Sequence, residues 1–352
     1  MPKSSGEEKL PRHLLVMRSS AMGDVAMLPH ALRALRHSCP ELKITVVTRK
    51  LFQPFFQGLD VGFLFIDTKG EHKGPRGVWR LAREARELGV DAMADVHGVL
   101  RSQLFTLSMR LHGIRCASIH KGRIAKWFRL GSSADCVQAL RHTVVRYCDV
   151  FRRLGFPVDD PVPAVKGEHP NPMGPKRGVW VGVAPFSAQQ GKIYPLPLMR
   201  EVIGLLSGRC ERVFIHSGGG AELAFAKELE AALPNVTALG DKVKLKEEID
   251  LIAHLDCVVS MDSLVMHLAS LTATPVVSVW GATHPKMGFL GYGCPPEGIV
   301  QRDDLECRPC SVFGKKPCKF GDYRCLSGIP PQLIVERVAQ LTGKMPAAGA
   351  EK

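Results

Sequence analysis

Residues 257–285, CVVSMDSLVMHLASLTATPVVSVWGATHP, read as strand, tight turn, helix, strand and a small-residue loop. The apolar run Cys257-Val258-Val259 stops at Ser260-Met261-Asp262-Ser263, where an Asp or Ser side-chain oxygen can cap a helix. Val265, Leu268 and Ala269 are spaced for one buried helical face; Thr274-Pro275 ends that helix, and Val276 to Trp280 supplies the next buried strand. Two parallel strands joined by so short a helix form a βαβ unit, whose loops at the carboxyl ends of the strands make a ligand crevice. A helix N-terminus facing Gly281-Ala282-Thr283-His284 suits a phosphate. A plain crossover without ligand explains the same residues equally well.

Working outward, Gly178 to Ala184 is a strand that runs into the polar loop Pro185 to Lys192. A loop lysine is usually just solvated, but one directed at the crevice of Asp262 would neutralise a diphosphate. Val213 to His216 is the next strand. Ser217-Gly218-Gly219-Gly220 then turns into a helix, Ala221 to Leu233. Glu222 opens that helix, where a carboxylate suits either the helix dipole or a ribose diol. Val236 to Leu239 and Lys246 to His254 continue the alternation of strand and helix.

The first half repeats the alternation. His13 to Met17 is a strand, Arg18 to Asp24 a turn, and Val25 to Arg36 a helix with Val25, Leu28, Leu32 and Leu35 on one face. Asp24 stands at the helix start, as a cap or as a carboxylate able to accept a substrate proton. Strands follow at Lys43 to Thr48, Phe63 to Ile66 and Asp91 to Val96, with helices at Leu51 to Gly58, Gly77 to Leu88 and through Met109. His97 and Arg101 lie just past a strand end, where they could face the same cleft as Asp24. The fold class is therefore α/β, parallel and doubly wound in each half. Residues 156–177 hold six prolines. They give an organisation of 1–156, a linker 157–177, a second domain 178–342 and a tail 343–352.

Charge is unevenly placed: residues 1–170 carry a net +11 and the remainder +2 of the total +13. The first half is thus suited to an anionic partner. Ile119 to Leu130, IHKGRIAKWFRL, mixes Arg123, Lys126 and other basic residues with Trp127 and Phe128, as a membrane interface or a basic helix face would. Aromatics are few and no nucleic-acid motif is visible, which argues against nucleic acid as the partner. No apolar run reaches membrane-spanning length and no secretory leader is recognisable, so a cytoplasmic protein with reduced thiols is expected. Of the eleven cysteines, Cys307, Cys310, Cys318 and Cys325 are spaced C-x2-C-x7-C-x6-C, a candidate structural zinc site that free surface thiols would explain as well.

Taken together, Arg18 to Asp24, the His216 to Glu222 turn, Asp262 to Ala269, Gly281 to Pro285 and the late Cys-rich loop resemble glycosyltransferase family 9, the ADP-heptose:lipopolysaccharide heptosyltransferases, from about His13 to Leu341. The resemblance implies a GT-B fold, with two Rossmann-like domains and the active site in the cleft between them. By it, Asp24 matches the general base and Lys192 the lysine that stabilises the departing diphosphate. Ser187, Lys192, Gly218, Glu222, Asp262, Ser263, Leu264 and His267 match donor-binding positions; Arg18, His97, Arg101, Arg123 and Lys126 are candidates for the acceptor. It further implies an inverting transfer from an ADP-sugar to an anionic, lipid-linked saccharide at the inner face of the cytoplasmic membrane. No cofactor and no active-site metal are expected. Two positions depart from the family pattern. Leu264 stands where Asp-Thr-Gly would place glycine, and Ile193-Tyr194 follow Lys192 where tryptophan is usual. They leave open a GT-B transferase with another nucleotide-sugar, and a non-catalytic nucleotide- or polyanion-binding protein.

Overall fold

The computed structural model describes residues 10–120 and 139–345. The chain forms two compact units, Met1–Lys121 with Thr143–Val162, and Gly122–His142 with Pro163–Lys352. The division at Val162 falls inside the proline-rich stretch, and residues 157–177 carry neither helix nor strand. That stretch is fastened to the second unit, where Lys176 pairs with Asp256 at 2.7 Å and His169 with Asp250 at 2.8 Å. Arg123 and Lys126 lie outside the described residues.

The first unit is a five-stranded parallel sheet in the order β3-β2-β1-β4-β5, comprising β1 (His13–Met17), β2 (Lys43–Thr48), β3 (Gly62–Phe65), β4 (Ala92–Asp95) and β5 (Arg115–Ser118). The central strand β1, HLLVM, is buried at all five positions, the continuous apolar run of a sheet covered on both faces. Helices α1 (Met22–Ala26), α2 (Leu28–Ser38), α3 (Gly74–Glu87), α4 (Leu100–Leu111) and α5 (Thr143–Arg152) complete it. The helix expected over Val25 to Arg36 is in fact two, broken at Met27. Pro29 has no N–H to give and takes its place in the first turn of α2. Ala21 occupies the cap position of α1, so Asp24 is not a capping residue.

The second unit is a six-stranded parallel sheet in the order β11-β10-β9-β6-β7-β8. Its strands are β6 (Trp180–Ala184), β7 (Arg212–Ile215), β8 (Val236–Ala238), β9 (Cys257–Met261), β10 (Val276–Val279) and β11 (Ile299–Val300). Its helices are α6 (Leu196–Ser207), α7 (Ala221–Ala232), α8 (Leu245–His254), α9 (Leu264–Leu271), α10 (Arg324–Ser327) and α11 (Pro331–Thr342). Val181, Val183, Ile215, Val259 and Val277 on the strands pack with Val202, Ile203, Ile334 and Val338 on α6 and α11 in one core.

Both sheets are Rossmann-like, and in each the chain reverses direction across the sheet beside its central strand, between β1 and β4 or between β6 and β9. At such a switch point the loops leaving neighbouring strands diverge and open a crevice. The residues that follow β1, β4, β6 and β9 are Arg18, Val96, Pro185 and Asp262.

Candidate active site

In the first unit the switch point gathers a buried arginine and a more open carboxylate. Arg18 follows β1 directly, and its guanidinium pairs with Asp24 in the first turn of α1. It also donates to the Val96 carbonyl, just past β4. The Tyr147 hydroxyl on α5 donates to the Asp24 carbonyl at 3.0 Å, and the Arg18 guanidinium lies 5.8 Å from the Tyr147 ring. Burial works against the Arg18 charge, yet Tyr147 and Asp24 hold its pKa above the ordinary value. The same burial pushes the Tyr147 hydroxyl up, so it remains a donor. The arginine side chain is 7% exposed and the aspartate 28%, so the carboxylate is the partner within reach of solvent.

His97 belongs to this group: its Nε2 lies 3.0 Å from Ser20 Oγ. The turn that carries it is wound around Asp95, which accepts from the His97 and Gly98 amides at 2.9 Å and from Ser102 Oγ at 3.0 Å. Arg101, by contrast, turns toward the His72 carbonyl at 3.4 Å.

In the second unit the switch point gathers a buried carboxylate and a more open lysine. Asp262 follows β9, and its Oδ2 takes Lys192 Nζ at 2.7 Å and Thr283 Oγ1 at 2.9 Å. Ser187, from the loop after β6, donates to the Asp262 carbonyl at 3.2 Å. Ser263 occupies the cap position of α9 but makes no side-chain capping bond. The aspartate is engaged by Lys192 and Thr283, and Ser263 Oγ lies 3.2 Å from Ser260 Oγ. The first amides of α9 are thereby left beside the ion pair, at the end of a helix dipole that favours negative charge. Leu264 begins α9 half-buried, and His267 is buried one turn further on. Glu222 curls back within its own turn, where its Oε2 accepts the Gly218 amide at 2.8 Å.

One residue here escapes sequence reading. Arg308, inside the Cys-rich loop, is completely buried and grips the loop after β10, donating from Nε to the Gly281 carbonyl at 2.6 Å and from Nη2 to the Thr283 carbonyl at 3.1 Å. An arginine among cysteines, lysines and prolines carries no periodicity to mark it as interior. Tyr194, one of the departing positions, is buried with its hydroxyl on the Ile329 carbonyl at 2.6 Å, a packing role within the unit.

Cys307, Cys310, Cys318 and Cys325 line a single cavity of about 30 Å³ together with Arg308, Lys316 and Arg324. No three of their sulfurs come within 4.8 Å of one another, so the zinc tetrahedron expected from the spacing is not assembled. Among the described residues the one group gathered so tightly is Glu71, His72 and Glu84. There the Asp67 amide donates to His72 Nδ1 at 3.0 Å, which leaves the neutral ring's proton on Nε2, facing Glu84. Arg80 joins Glu71 and Glu84 at 3.1 Å each, so the group is an ion-pair cluster rather than a metal cradle.

Two doubly wound parallel sheets, each with a charged pair at its switch point, define a Rossmann-type two-domain protein of the GT-B class. The family model of glycosyltransferase family 9 (heptosyltransferase) matches residues 78–318, and the chain belongs to that family. It is 24% identical over 324 residues, 87% of either chain, to lipopolysaccharide heptosyltransferase 1 of Pseudomonas aeruginosa. To lipopolysaccharide heptosyltransferase 1 of Salmonella typhimurium it is 30% identical over 135 residues, which span 37% of this chain and 41% of that protein. The solved structure of E. coli ADP-heptose lps heptosyltransferase II covers 94% of this chain and 98% of its own, with a TM-score of 0.67 at 18% identity. Among the described residues no helix is long and apolar enough to cross a membrane.

Proposed function

We propose that this chain transfers heptose from ADP-heptose to a lipopolysaccharide core acceptor, lipid A–Kdo or an inner-core heptose, by single displacement with inversion. Asp24 accepts the proton of the acceptor hydroxyl as its oxygen attacks the anomeric carbon. The bond from that carbon to the diphosphate oxygen breaks, and ADP departs against Lys192 and the first amides of α9. Ser187, Gly218, Glu222, Asp262, Ser263, Leu264 and His267 form the donor side; Arg18 and His97, with Arg123 and Lys126, form the acceptor side, which Arg101 joins only on leaving the His72 carbonyl. The observation that carries this reading is Lys192 Nζ at 2.7 Å from Asp262 beside a helix N-terminus. A lysine so held presents positive charge where a leaving diphosphate needs it, the role a divalent cation fills elsewhere. The E. coli protein of similar fold is an ADP-heptose lps heptosyltransferase, which supports the same donor here.

The acceptor is anionic and lipid-linked, and the first unit carries a surface suited to the inner face of the cytoplasmic membrane. Leu100, Leu104, Leu107 and Leu111 of α4 are 73%, 40%, 53% and 68% exposed. At ~100° per residue they fall within a sector of about 60° on the helix. The exposed Arg110 borders this stripe, and α3 packs beside α4 with Arg76, Arg80, Arg83 and Trp79 exposed. Leucines bordered by arginines fit an anionic lipid surface. A second copy of the chain would set arginine against arginine across the stripe.

The decisive test is acceptor-dependent ADP release by the purified chain, given ADP-heptose and a heptose-deficient lipid A–Kdo acceptor. Release only with both substrates supports the transferase. No release, together with thermal protection by a uridine or guanosine nucleotide-sugar instead, replaces the donor. A structural zinc in the Cys-rich loop predicts one equivalent of metal in the purified chain, measured by elemental analysis; none rejects it.

A further inference from the structure

The Cys-rich loop lies against the second-unit site, and its contacts converge on one side chain. Arg308 is fully buried, and its hydrogen-bond partners are neutral oxygens: the Gly281, Thr283 and Arg302 carbonyls and Gln301 Oε1. No carboxylate hydrogen-bonds to it, Asp303 acting only through its charge, so burial works against the guanidinium and an apolar side chain of similar volume would fill the space at lower cost. What only arginine supplies is a planar fork that holds two carbonyls of one turn at once. The turn it holds, 281–283, presents Thr283 Oγ1 to Asp262, the aspartate that receives Lys192.

The same loop meets Lys192 from the other side. The Cys310 and Ser311 amides both donate to the Ala282 carbonyl at 3.1 Å, while the Ala282 amide donates to the Gly191 carbonyl at 2.8 Å. Gly314 packs on the lysine stem so closely that an added Cβ would lie 2.7 Å from Lys192 Cγ and 3.0 Å from Cε. Gly191 is equally confined, since its added Cβ would lie 2.9 Å from Ala282 Cβ and 3.1 Å from the Gly314 carbonyl.

We propose that Arg308 and Gly314 are positioning residues for Lys192. The Cys-rich loop fixes the turn at 281–283 and the lysine stem together, so that the ammonium is held on Asp262 at the mouth of α9. The proposal rests on the reading that Lys192 meets the departing diphosphate, and its test has one arm that does not depend on that reading.

That arm is the rate at which an amine-acylating reagent modifies Lys192, followed peptide by peptide by mass spectrometry in the full chain. Lys176, paired with Asp256 at 2.7 Å in the same unit, is the internal control. In Arg308→Gln and in Gly314→Ala, Lys192 is expected to react at least about three-fold faster while Lys176 is unchanged, as when one ion pair is loosened and a distant one is not. A rise at every lysine in one variant would mark a folding defect, a risk shared by Gly314→Ala because Gly314 sits at φ +75°, and the variant whose Lys176 rate is unchanged decides. The second arm is a double-mutant cycle on turnover. Gly314→Ala should lower kcat about ten-fold in the natural background and less than about two-fold when Lys192 is already alanine, because both changes act on one charge. Unchanged Lys192 reactivity, or equal losses in both backgrounds, overturns the proposal. If the natural chain releases no ADP, the transferase reading fails while the labelling rates still decide this one.

Discussion

The two units place an ion pair at the same topological position with opposite polarity. Beside β1 the arginine is the hidden partner, at 7% exposed against 28% for Asp24. Beside β9 the carboxylate is hidden, at 6% against 15% for Lys192. In each pair the buried member is held by further hydrogen bonds: Arg18 to the Val96 carbonyl, Asp262 from Thr283. The outer member is the more exposed of each pair and, on the proposed function, the one that meets substrate. One sheet therefore offers a carboxylate and the other a cation, the two charges that a glycosyl transfer from a diphosphate requires. The fold supplies the position, and on the proposed function the burial order within each pair sets which member reacts.

The comparison breaks most sharply if the outer members are not the reactive ones. Asp24→Ala should lower kcat about a thousand-fold, within the range for a general base, while ADP affinity measured by calorimetry stays within about two-fold. Turnover near the natural rate would remove Asp24 as the base. Lys192→Ala should lower kcat about a hundred-fold and also weaken ADP binding, because its charge meets the leaving group both before and after bond breaking. A loss of binding in Asp24→Ala with none in Lys192→Ala would invert the assignment of the two units.

Much of this was legible in the chain because parallel strands and their loops leave strong local signals. The apolar run 257–259 marked a strand that extends two residues further, to Met261, and so placed Asp262 in the loop at its carboxyl end. The break at Met27 was missed because helical spacing continues through it; only Pro29 argued otherwise, and proline is tolerated in a first turn. Arg308 was not legible at all. Its burial depends on carbonyls at 281, 283 and 302, two of them more than twenty residues away, and no local pattern encodes that meeting. The cysteine spacing allowed either a tetrahedron or free thiols, because spacing brings four cysteines to one cavity without fixing how closely their sulfurs meet.

A smaller effect sharpens the division of labour between the units. If the first unit alone meets the lipid, the double variant Leu104→Ser, Leu107→Ser should bind phosphatidylglycerol vesicles about ten-fold more weakly by co-sedimentation, since each substitution removes apolar area from the stripe. Turnover on a detergent-dispersed acceptor should stay within about two-fold, because both residues lie on the solvent face of α4. Equal vesicle binding by the natural and variant chains would reject the stripe as the docking face.

The smallest effect concerns how each unit keeps its buried cation. Arg18 is paired directly with Asp24, whereas Arg308 hydrogen-bonds to neutral oxygens, with Asp303 acting only through its charge and the buried His284 nearby. Burial pushes His284 down to about 4, and the charges of Arg308 and Lys286 push in the same direction against the weaker pull of Asp303. Between about 6.5, the ordinary histidine value, and about 4, the unfolded chain binds a proton that the folded chain refuses. His284 therefore contributes stability that is fully present above the upper value and is lost as pH falls toward the lower one. Thermal melts at pH 7.5, 6 and 5 should show the natural chain losing more of its Tm on acidification than His284→Asn, by a few degrees on the order expected for one titrating group. Carboxylates elsewhere titrate in both chains and cancel in that difference. Parallel curves would mean that His284 takes up its proton as readily in the folded chain as in the unfolded one, and that burial beside Arg308 does not hold it neutral.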